Sequence, residues 1–351
     1  MVRRYLLYVS ELYSLGILRP LQKEILARGD QAAWFFDPGI DGRQWLAPDE
    51  VLFSRVAEVK NFRPHAVFVP GNIVPDFFPG LKVQVFHGLA DDSMGKKGHY
   101  RIRGFFDLYC TRGEEETGLF QDLALKYGHF KVHQTGWPKL DPLFANRIQD
   151  LRPELGISKP IVLYASTFSP SLTSAPYLID RIKRLAAKGI FHWMITLHPK
   201  MPTETVNKYR KLHGPNLSFY ESHQQIWPLL KTADVMLCDT SSIMLEFMLL
   251  HKPVVTYQTA NPTYPYLINI NNPDQIEGAL QHALNHPPEL MDAVHDYVHR
   301  LHPYRDGLSS ERVLAASDRL MLTESSELKP KPLNLVRKMK IRNRLKYYRI
   351  Y

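Results

Sequence analysis

Short apolar runs alternate with longer amphipathic stretches along the first 150 residues. The runs have the length and composition of buried strands, and several of the stretches between them repeat apolar residues at helical spacing. Because this alternation builds a mostly parallel sheet with helices on both faces, it predicts an α/β fold. The predicted strands are residues 5–9, 32–36, 66–69, 83–86, 108–111 and 132–135. Predicted helices include 12–27, which Pro20 should kink or split, and 114–126.

The alternation restarts after residues 151–160, a stretch with the character of an inter-domain connection. It therefore predicts two Rossmann-like domains, residues 1–150 and 151–327, followed by a basic tail of residues 328–351. The predicted strands of the second domain are residues 161–165, 193–197, 235–238 and 254–257. Its predicted helices are residues 176–188, 203–212, 242–250, 274–286 and 309–322.

The net charge of +9 is concentrated in the tail. Nine of the 44 Lys and Arg residues lie in residues 329–351, which contain no Asp or Glu, and the other 35 balance the 35 acidic residues. A neutral body does not point to nucleic acid as a partner. We expect the tail to bind an anionic membrane surface. The alternatives are a solvated tail without function, or a non-catalytic nucleic-acid-binding protein that uses the tail cations with Tyr347, Tyr348 and Tyr351.

The cysteines and the N-terminus both bear on localisation. Cys110 and Cys238 end apolar runs, which predicts reduced, buried thiols of a cytosolic protein. The N-terminal apolar run is interrupted at Ser10 and Glu11 after about five residues, too short for a signal peptide. No window approaches the roughly 20 apolar residues of a transmembrane helix. We therefore expect a cytoplasmic protein that associates peripherally with the membrane.

Polar clusters follow five of the predicted strands. In open α/β sheets, ligands bind just beyond the carboxyl ends of the strands. Because such clusters occur in both predicted domains, we expect one ligand to be held in a cleft between them. The clusters are His87-Gly88, Gly136-Trp137-Pro138-Lys139, Ser166-Thr167, His198-Pro199-Lys200 and Asp239-Thr240-Ser241-Ser242.

The cluster of residues 239–242 is the best candidate for binding phosphate. It leads from a predicted buried strand into an apolar helix, whose first N–H groups and nearby hydroxyls can donate to an anion. The alternative is a simple helix cap, in which the side chain of Thr240 or Ser241 satisfies the helix and no ligand binds. The chain contains neither a Walker-type nor a Gly-x-Gly-x-x-Gly motif.

Two histidines stand directly after predicted strands, one in each domain. An imidazole at such a place can act as a general base or donate a hydrogen bond to phosphate, although a structural role is the alternative. His87 and His198 are therefore candidate catalytic residues. The two cysteines are far apart and form no Cys-x2-Cys motif, and we predict neither a metal site nor a cofactor.

Three further charged residues are candidate ligand contacts. Lys139 can meet a phosphate or a carboxylate, or it can be a solvated loop lysine. Glu246 can accept ribose hydroxyls or form a structural ion pair. Residues 306–312, which include Arg312, have the pattern of a helix N-terminus with an early acidic residue.

Taken together, these strings resemble the CDP-glycerol glycerophosphotransferase family, whose members build teichoic acids and related capsular polymers. The matching strings occur in the family's order and cover most of residues 80–320. They are Val85-Phe86-His87-Gly88, residues 106–113, residues 136–141, residues 164–168, Leu197-His198-Pro199-Lys200, residues 234–246 and residues 306–312.

The resemblance implies a GT-B-type fold, with two Rossmann-like domains facing across a cleft, residues 1–150 on the acceptor side and 151–327 binding the CDP donor. It implies that a lipid-linked or glycan acceptor hydroxyl attacks the β-phosphorus of CDP-glycerol or a related CDP-alcohol, and that CMP leaves. It makes His87 the candidate base and His198 a catalytic residue in contact with the diphosphate. The expected substrate-binding residues are Gly88, Lys139, Ser166, Thr167, Lys200, Thr240, Ser241, Ser242, Glu246 and Arg312.

The chain also departs from the family pattern. Members often have His-Gly-Thr-Pro-Leu-Lys, whereas residues 87–92 are His-Gly-Leu-Ala-Asp-Asp and Lys96 and Lys97 come later. The usual arginine of the next binding segment is absent from residues 166–169, and Tyr-Ser-Ser is replaced by Thr-Ser-Ser at 240–242. These departures bear on which alcohol the CDP donor carries more than on the binding of its nucleotide. No appended glycosyltransferase segment is present, so we do not expect a bifunctional polymerase.

A second hypothesis shares the expected fold and the phosphate-binding helix. It makes the chain another GT-B enzyme, either a nucleotide-sugar glycosyltransferase or a sugar-nucleotide epimerase. The nucleotide released from CDP-glycerol or from UDP-sugars distinguishes the two hypotheses.

Overall fold

The structure is a computed structural model that describes residues 2–89, 98–145, 148–221, 226–259, 263–324 and 327–348. It divides into two compact units. The first consists of Met1–Ala145 with Arg300–Tyr351, and the second of Asn146–His299. Lys96 and Lys97 lie outside the described residues.

Thirteen strands and thirteen α-helices are present in the described residues. The strands are β1 (Arg4–Val9), β2 (Gln31–Phe36), β3 (Leu52–Phe53), β4 (Ala66–Val69), β5 (Leu81–Gln84), β6 (Leu108–Thr111), β7 (Lys131–Gln134), β8 (Ile161–Ser166), β9 (His192–Leu197), β10 (Leu217–Phe219), β11 (Val235–Cys238), β12 (Val254–Tyr257) and β13 (Ile268–Ile270). The helices are α1 (Ser14–Ala27), α2 (Val56–Phe62), α3 (Glu114–Tyr127), α4 (Asp141–Phe144), α5 (Arg152–Leu155), α6 (Ala175–Lys188), α7 (Thr203–Arg210), α8 (Ile226–Thr232), α9 (Ile243–Met248), α10 (Ile276–Leu284), α11 (Pro288–Leu301), α12 (Ser309–Arg319) and α13 (Leu335–Arg344).

Each unit is built on one parallel sheet, which confirms the predicted α/β class. The first sheet has the order β3-β2-β1-β4-β5-β6-β7, and the second has the order β10-β9-β8-β11-β12-β13. The central strands are buried along their whole length, because parallel strands covered on both faces need continuous apolar sequence. The strand order reverses between β1 and β4 in the first sheet and between β8 and β11 in the second, so ligand crevices are expected at those two places.

The sequence pattern missed the helices α8, α11 and α13, of which α11 has 14 residues, whereas the strands that it missed are short. The strands β3, β10 and β13 have two or three residues and lie at sheet edges, where burial is incomplete and the apolar signal is weak. The predicted split at Pro20 does not occur, since α1 is continuous through it. Ile17 and Leu21, on either side of the proline, are both fully buried and keep the helix against the core.

The second domain boundary predicted from the sequence is wrong. The chain returns to the first unit at Arg300, so α12 and the basic segment belong there rather than to a domain of residues 151–327. Long-range contacts cause this return. Asp141 accepts hydrogen bonds from the first backbone N–H groups of α12, at Ser309 (2.8 Å) and Ser310 (2.7 Å), and Asp318 at its other end pairs with Arg3 at 2.5 Å.

The described part of the basic segment is ordered on the first unit and does not form a free tail. Ile341 of α13 is buried in the hydrophobic core of this unit. Three cations of the segment form ion pairs with acidic residues of the unit: Lys331 with Asp107 (2.7 Å), Arg342 with Asp76 (2.9 Å) and Arg344 with Asp37 (3.0 Å). None of the helices within the described ranges has the length and apolar character required to cross a bilayer.

Candidate functional site

His87 lies at the carboxyl edge of the first sheet, next to the point where the strand order reverses. It follows β5, and its Nδ1 is 3.3 Å from the carbonyl oxygen of Pro70, which follows β4. The ring of Tyr13, in the loop after β1, is 5.4 Å from the imidazole. Among the described residues, no atom lies within 4 Å of a Cβ added at Gly88.

The contact with Pro70 determines the tautomer of His87. A carbonyl oxygen can only accept a hydrogen bond, so Nδ1 of His87 must carry the proton that it donates to Pro70. The lone pair of the neutral ring is then on Nε2. This is the arrangement of a histidine that can take a proton at Nε2 while the backbone holds its other nitrogen.

His198 has the opposite tautomer. The backbone N–H of Lys200 donates to Nδ1 of His198 at 3.0 Å, so the neutral ring carries its proton on Nε2. Burial, together with the charge of Lys200, lowers the pKa of His198, which keeps the ring neutral at pH 7. The Nε2–H group is a hydrogen-bond donor, which suits contact with a phosphate oxygen better than proton abstraction.

An aromatic ring supports His198 and the lysine that follows it. The ring of Phe168 lies 4.4 Å from the imidazole, and Nζ of Lys200 is 5.6 Å from the same ring. The loop after β8, which carries Phe168, therefore positions the loop after β9. Two of the predicted clusters of the second unit are thus brought together.

A buried carboxylate joins the loops after β8 and β11. Asp239 accepts hydrogen bonds from Thr167 N (2.9 Å), Ser166 Oγ (2.5 Å) and the N and Oγ of Ser174 (2.8 and 2.9 Å). Burial raises the pKa of Asp239, and these donors oppose that rise. The hydroxyl of Ser166 is therefore used inside the protein, and the contribution of Thr167 to this network is its backbone N–H.

Neither the hydroxyl of Ser241 nor that of Ser242 makes a hydrogen bond that caps α9. Ser242 occupies the N-cap position, and its side chain makes no capping hydrogen bond. Thr240 Oγ1 lies 3.4 Å from Thr259 Oγ1, and the backbone N–H of Ser241 donates to Asp239 O at 2.8 Å. The simple capping alternative therefore finds no support in the geometry of Ser241. Glu246 lies half-buried in α9 between the buried residues Leu245 and Phe247.

Lys139 and Arg312 both lie in the first unit. Nζ of Lys139 is 5.1 Å from the ring of Trp137. Arg312 forms an ion pair with Asp306, and its guanidinium lies 3.8 Å from the ring of Tyr304. Arg312 was expected in the donor-binding domain, but its position in α12 and its partners make it a link within the first unit.

Sequence reasoning missed the supporting roles of three residues. Asp239, Trp137 and Asp141 all fall inside the quoted motifs, but their neighbours come from distant parts of the chain. A buried carboxylate directly after an apolar strand was a usable signal for Asp239, because such a group requires several donors.

The described residues contain no group of three or more His, Cys, Asp or Glu side chains that could hold a metal ion. Cys110 and Cys238 are buried free thiols, as their positions in the sequence predicted.

Two Rossmann-like units with polar residues at the carboxyl edges of their sheets define a protein of the GT-B class. Solved structures have the same fold. The wall teichoic acid polymerase TagF matches with a TM-score of 0.62 at 13% identity, covering 93% of this chain and 90% of that one. A putative UDP-N-acetylglucosamine 2-epimerase from Listeria monocytogenes matches with a TM-score of 0.63 at 13% identity, covering 92% and 97%.

The sequence itself places the chain within this class. Residues 83–267 match the family model of CDP-Glycerol:Poly(glycerophosphate) glycerophosphotransferase, and the chain belongs to that family. The teichoic acid glycerol-phosphate primase of Bacillus subtilis (strain 168) is 26% identical over 192 residues, 50% of this chain and 49% of the primase. The teichoic acid ribitol-phosphate polymerase TarK of Staphylococcus aureus (strain NCTC 8325 / PS 47) is 25% identical over 263 residues, 66% and 51%. The chain thus spans about half the length of these curated relatives.

Proposed function

We propose that the protein transfers glycerol phosphate, or a related polyol phosphate, from a CDP-alcohol to a hydroxyl of a lipid-linked or glycan acceptor. The observation that carries this proposal is the opposite tautomers of the two strand-end histidines. In the tautomers that the Nδ1 contacts favour, Nε2 of His87 can accept a proton and Nε2–H of His198 can donate a hydrogen bond. Phosphoryl transfer from a diphosphate needs one group of each kind.

In the proposed reaction, the acceptor hydroxyl loses its proton to Nε2 of His87. The acceptor oxygen bonds to the β-phosphorus of the donor, and the bond from that phosphorus to the oxygen bridging the two phosphates breaks. CMP leaves with the electron pair. A positioned general base contributes about 10²–10⁴-fold to such a step. The first unit accordingly serves the acceptor.

We assign donor binding to the second unit. Nε2–H of His198, the charge of Lys200 and the hydroxyls of Ser241 and Ser242 would contact the diphosphate. Such fixed donors stabilise the charge that develops on the leaving CMP without reorganisation during the reaction. The carboxylate of Glu246 would accept hydrogen bonds from the ribose. Thr240 and Thr167 complete the donor-binding surface.

A nucleotide-sugar enzyme is the second candidate, favoured by the fold that the chain shares with the epimerase. The test is incubation of the purified protein with CDP-glycerol, CDP-ribitol and UDP-sugars, against a panel of lipid-linked acceptors. The proposal expects acceptor-dependent release of CMP from a CDP-alcohol. Release of UDP from a UDP-sugar, or its epimerisation, without any release of CMP would support the alternative.

We further propose that α13 holds the protein against the cytoplasmic face of a membrane. Leu335, Val336 and Met339 of α13 are between 51% and 71% exposed. Lys338 and Lys340 lie among them in the same helix. An ordered helix that exposes apolar and cationic side chains together suits a surface of anionic lipid. The ion pairs of Arg342 and Arg344 would fix the orientation of this helix on the first unit.

A further inference from the structure

The residue before His87 has an unusual backbone conformation. Phe86 has a φ of +57°, in the left-handed region that bulky residues rarely adopt. This conformation turns the chain after β5 and directs it to His87. Strained backbone persists only where the surrounding structure enforces it, and such positions cluster at active sites.

The Phe86 ring is anchored on one side by buried groups. It packs against Phe120, with ring centroids 5.2 Å apart, and the guanidinium of Arg112 lies 5.2 Å from its centroid. Arg112 is itself held by Glu116, through a hydrogen bond of 2.9 Å from Nε. These contacts fix the ring of Phe86 but not the orientation of its peptide group.

The peptide group of Phe86 is held by Trp137. The indole Nε1–H of Trp137 donates to the carbonyl oxygen of Phe86 at 3.3 Å, and Trp137 is only 1% exposed. That carbonyl belongs to the peptide bond that joins Phe86 to His87. The orientation of this peptide group therefore helps to set where the backbone places the imidazole of His87.

Trp137 is in turn held by His302. The backbone N–H of Trp137 donates to Nε2 of His302 at 2.9 Å. Burial lowers the pKa of His302 to about 4, so its ring is neutral at pH 7 and can accept this bond. Gly136 permits the approach: its φ is +79°, and a Cβ there would lie 3.0 Å from Nε2 of His302 and 2.6 Å from Ser309 Oγ.

We propose that Trp137 is a positioning residue that holds the strained peptide of Phe86, and through it the imidazole of His87, with His302 as its support. The inference rests on the proposed role of His87 as the base and goes beyond it. It gives the Gly136-Trp137-Pro138 motif the role of positioning the base, His87, instead of contacting the substrate. It also gives the returning segment after Arg300 a part in organising the first unit's site.

The decisive variant is Trp137→Phe, which keeps an aromatic ring but removes the indole N–H together with part of the ring volume. We expect kcat to fall about 10- to 100-fold, because small displacements of a reacting group cost that much, while KM for the CDP-alcohol stays within about twofold. Trp193→Phe is the matched control. Trp193 is fully buried in the second unit, and its Nε1 has no hydrogen-bond partner among the described residues.

A second pair of variants tests His302. Asn and Leu have similar shapes, but only Asn offers an oxygen to accept the N–H of Trp137. His302→Asn should therefore retain more of kcat than His302→Leu. Equal losses in the two variants, accompanied by equal losses of thermal stability, would overturn the role of His302 as a support.

A readout independent of activity separates this inference from the proposed function. In protein labelled at its histidine side chains, the signals missing from His87→Gln identify His87. Trp137→Phe should shift those signals and the pH at which they titrate, and Trp193→Phe should leave them unchanged. Unshifted signals with unchanged kcat would overturn the positioning role. If His87→Gln itself leaves turnover intact, the proposed role of His87 as the base fails, whatever the signals show.

Discussion

The carboxylate of Asp239 accepts a hydrogen bond from the backbone N–H of Thr167 across 2.9 Å. Asp239 follows β11 and Thr167 follows β8, so this bond joins the two loops at the place where the strand order of the second unit reverses. A buried carboxylate is tolerated only where several donors surround it. The network therefore keeps the loop after β8 in the conformation that presents Phe168 to His198.

Asp239→Asn should weaken both the fold and donor binding. The amide has the size of the carboxylate but turns an NH2 group toward donors, which leaves buried polar groups unsatisfied at a cost of about 1–3 kcal/mol. We expect a lower melting temperature and a higher KM for the CDP-alcohol. Asp234→Asn is the matched control, because Asp234 precedes the same strand and pairs with Arg152 at 2.6 Å. A comparable change of KM in both variants would argue against a local role of Asp239.

His87→Gln should lower kcat about 10²–10⁴-fold, as expected for loss of a general base. The amide can still donate to Pro70, so the loop should keep its conformation and the melting temperature should change little. His213→Gln, an exposed histidine of the second unit, serves as the control. Turnover of the folded His87→Gln variant near that of the unmodified protein would remove His87 from the mechanism.

Replacing Ser241 and Ser242 together by Ala should weaken donor binding and leave stability nearly unchanged. Neither hydroxyl caps α9 in the structure, so removing both costs the helix little. Each lost hydrogen bond to a charged phosphate should cost about 1.5–3 kcal/mol. The measurements are the affinity for the CDP-alcohol, by calorimetry, and the melting temperature. A drop in stability without a change in affinity would restore the capping interpretation.

The buried pair of Glu116 and Arg112 should make the fold sensitive to acid. Burial alone would raise the pKa of Glu116, but the charge of Arg112 and the hydrogen bond with His99 outweigh it and lower the pKa from 4.5 to about 2. Between about pH 2 and pH 4.5, the folded state therefore binds fewer protons at Glu116 than the unfolded state does. The contribution of ionised Glu116 to the stability of the fold is complete above about pH 4.5 and is lost as the pH falls to about 2.

Urea unfolding between pH 2 and pH 7 tests this dependence. Glu116→Gln should be less stable at pH 7 and should show a shallower loss of stability below pH 4.5. Glu114→Gln, an exposed position in the same helix, should keep the steep dependence of the unmodified protein. Parallel profiles for all three proteins would show that Glu116 does not control the acid transition.

The role of α13 can be tested without deleting it, since Ile341 and the ion pairs tie it to the fold. Lys338→Gln with Lys340→Gln should weaken co-sedimentation with vesicles that contain phosphatidylglycerol by about 10- to 30-fold, as each cation contributes on the order of 1 kcal/mol. The melting temperature of this double variant should equal that of the unmodified protein. Arg342→Gln, which breaks the ion pair with Asp76, should lower the melting temperature. Equal, salt-insensitive binding by the double variant and the unmodified protein would refute α13 as the membrane contact.

The strand-end residues could be predicted because the signal is local. A parallel strand that is buried on both faces appears as an apolar run, and the first polar residue after that run marks the carboxyl edge of the sheet. His87, His198 and Asp239-Thr240-Ser241-Ser242 were found in this way. The edge strand β3 gave no such signal, because its two residues are only half-buried.

By itself, the sequence determined the α/β class, the central strands of both sheets and the residues at their carboxyl ends, because burial imposes a pattern on neighbouring positions. Only the tertiary structure decided which contacts those residues make. The opposite tautomers of His87 and His198 depend on the backbone groups of Pro70 and Lys200. The support of His87 by Trp137, and the return of the chain to the first unit at Arg300, depend on hydrogen bonds between residues 51 to 169 positions apart. Pairings over such separations leave no periodicity in the chain, since they arise only when distant segments fold against each other.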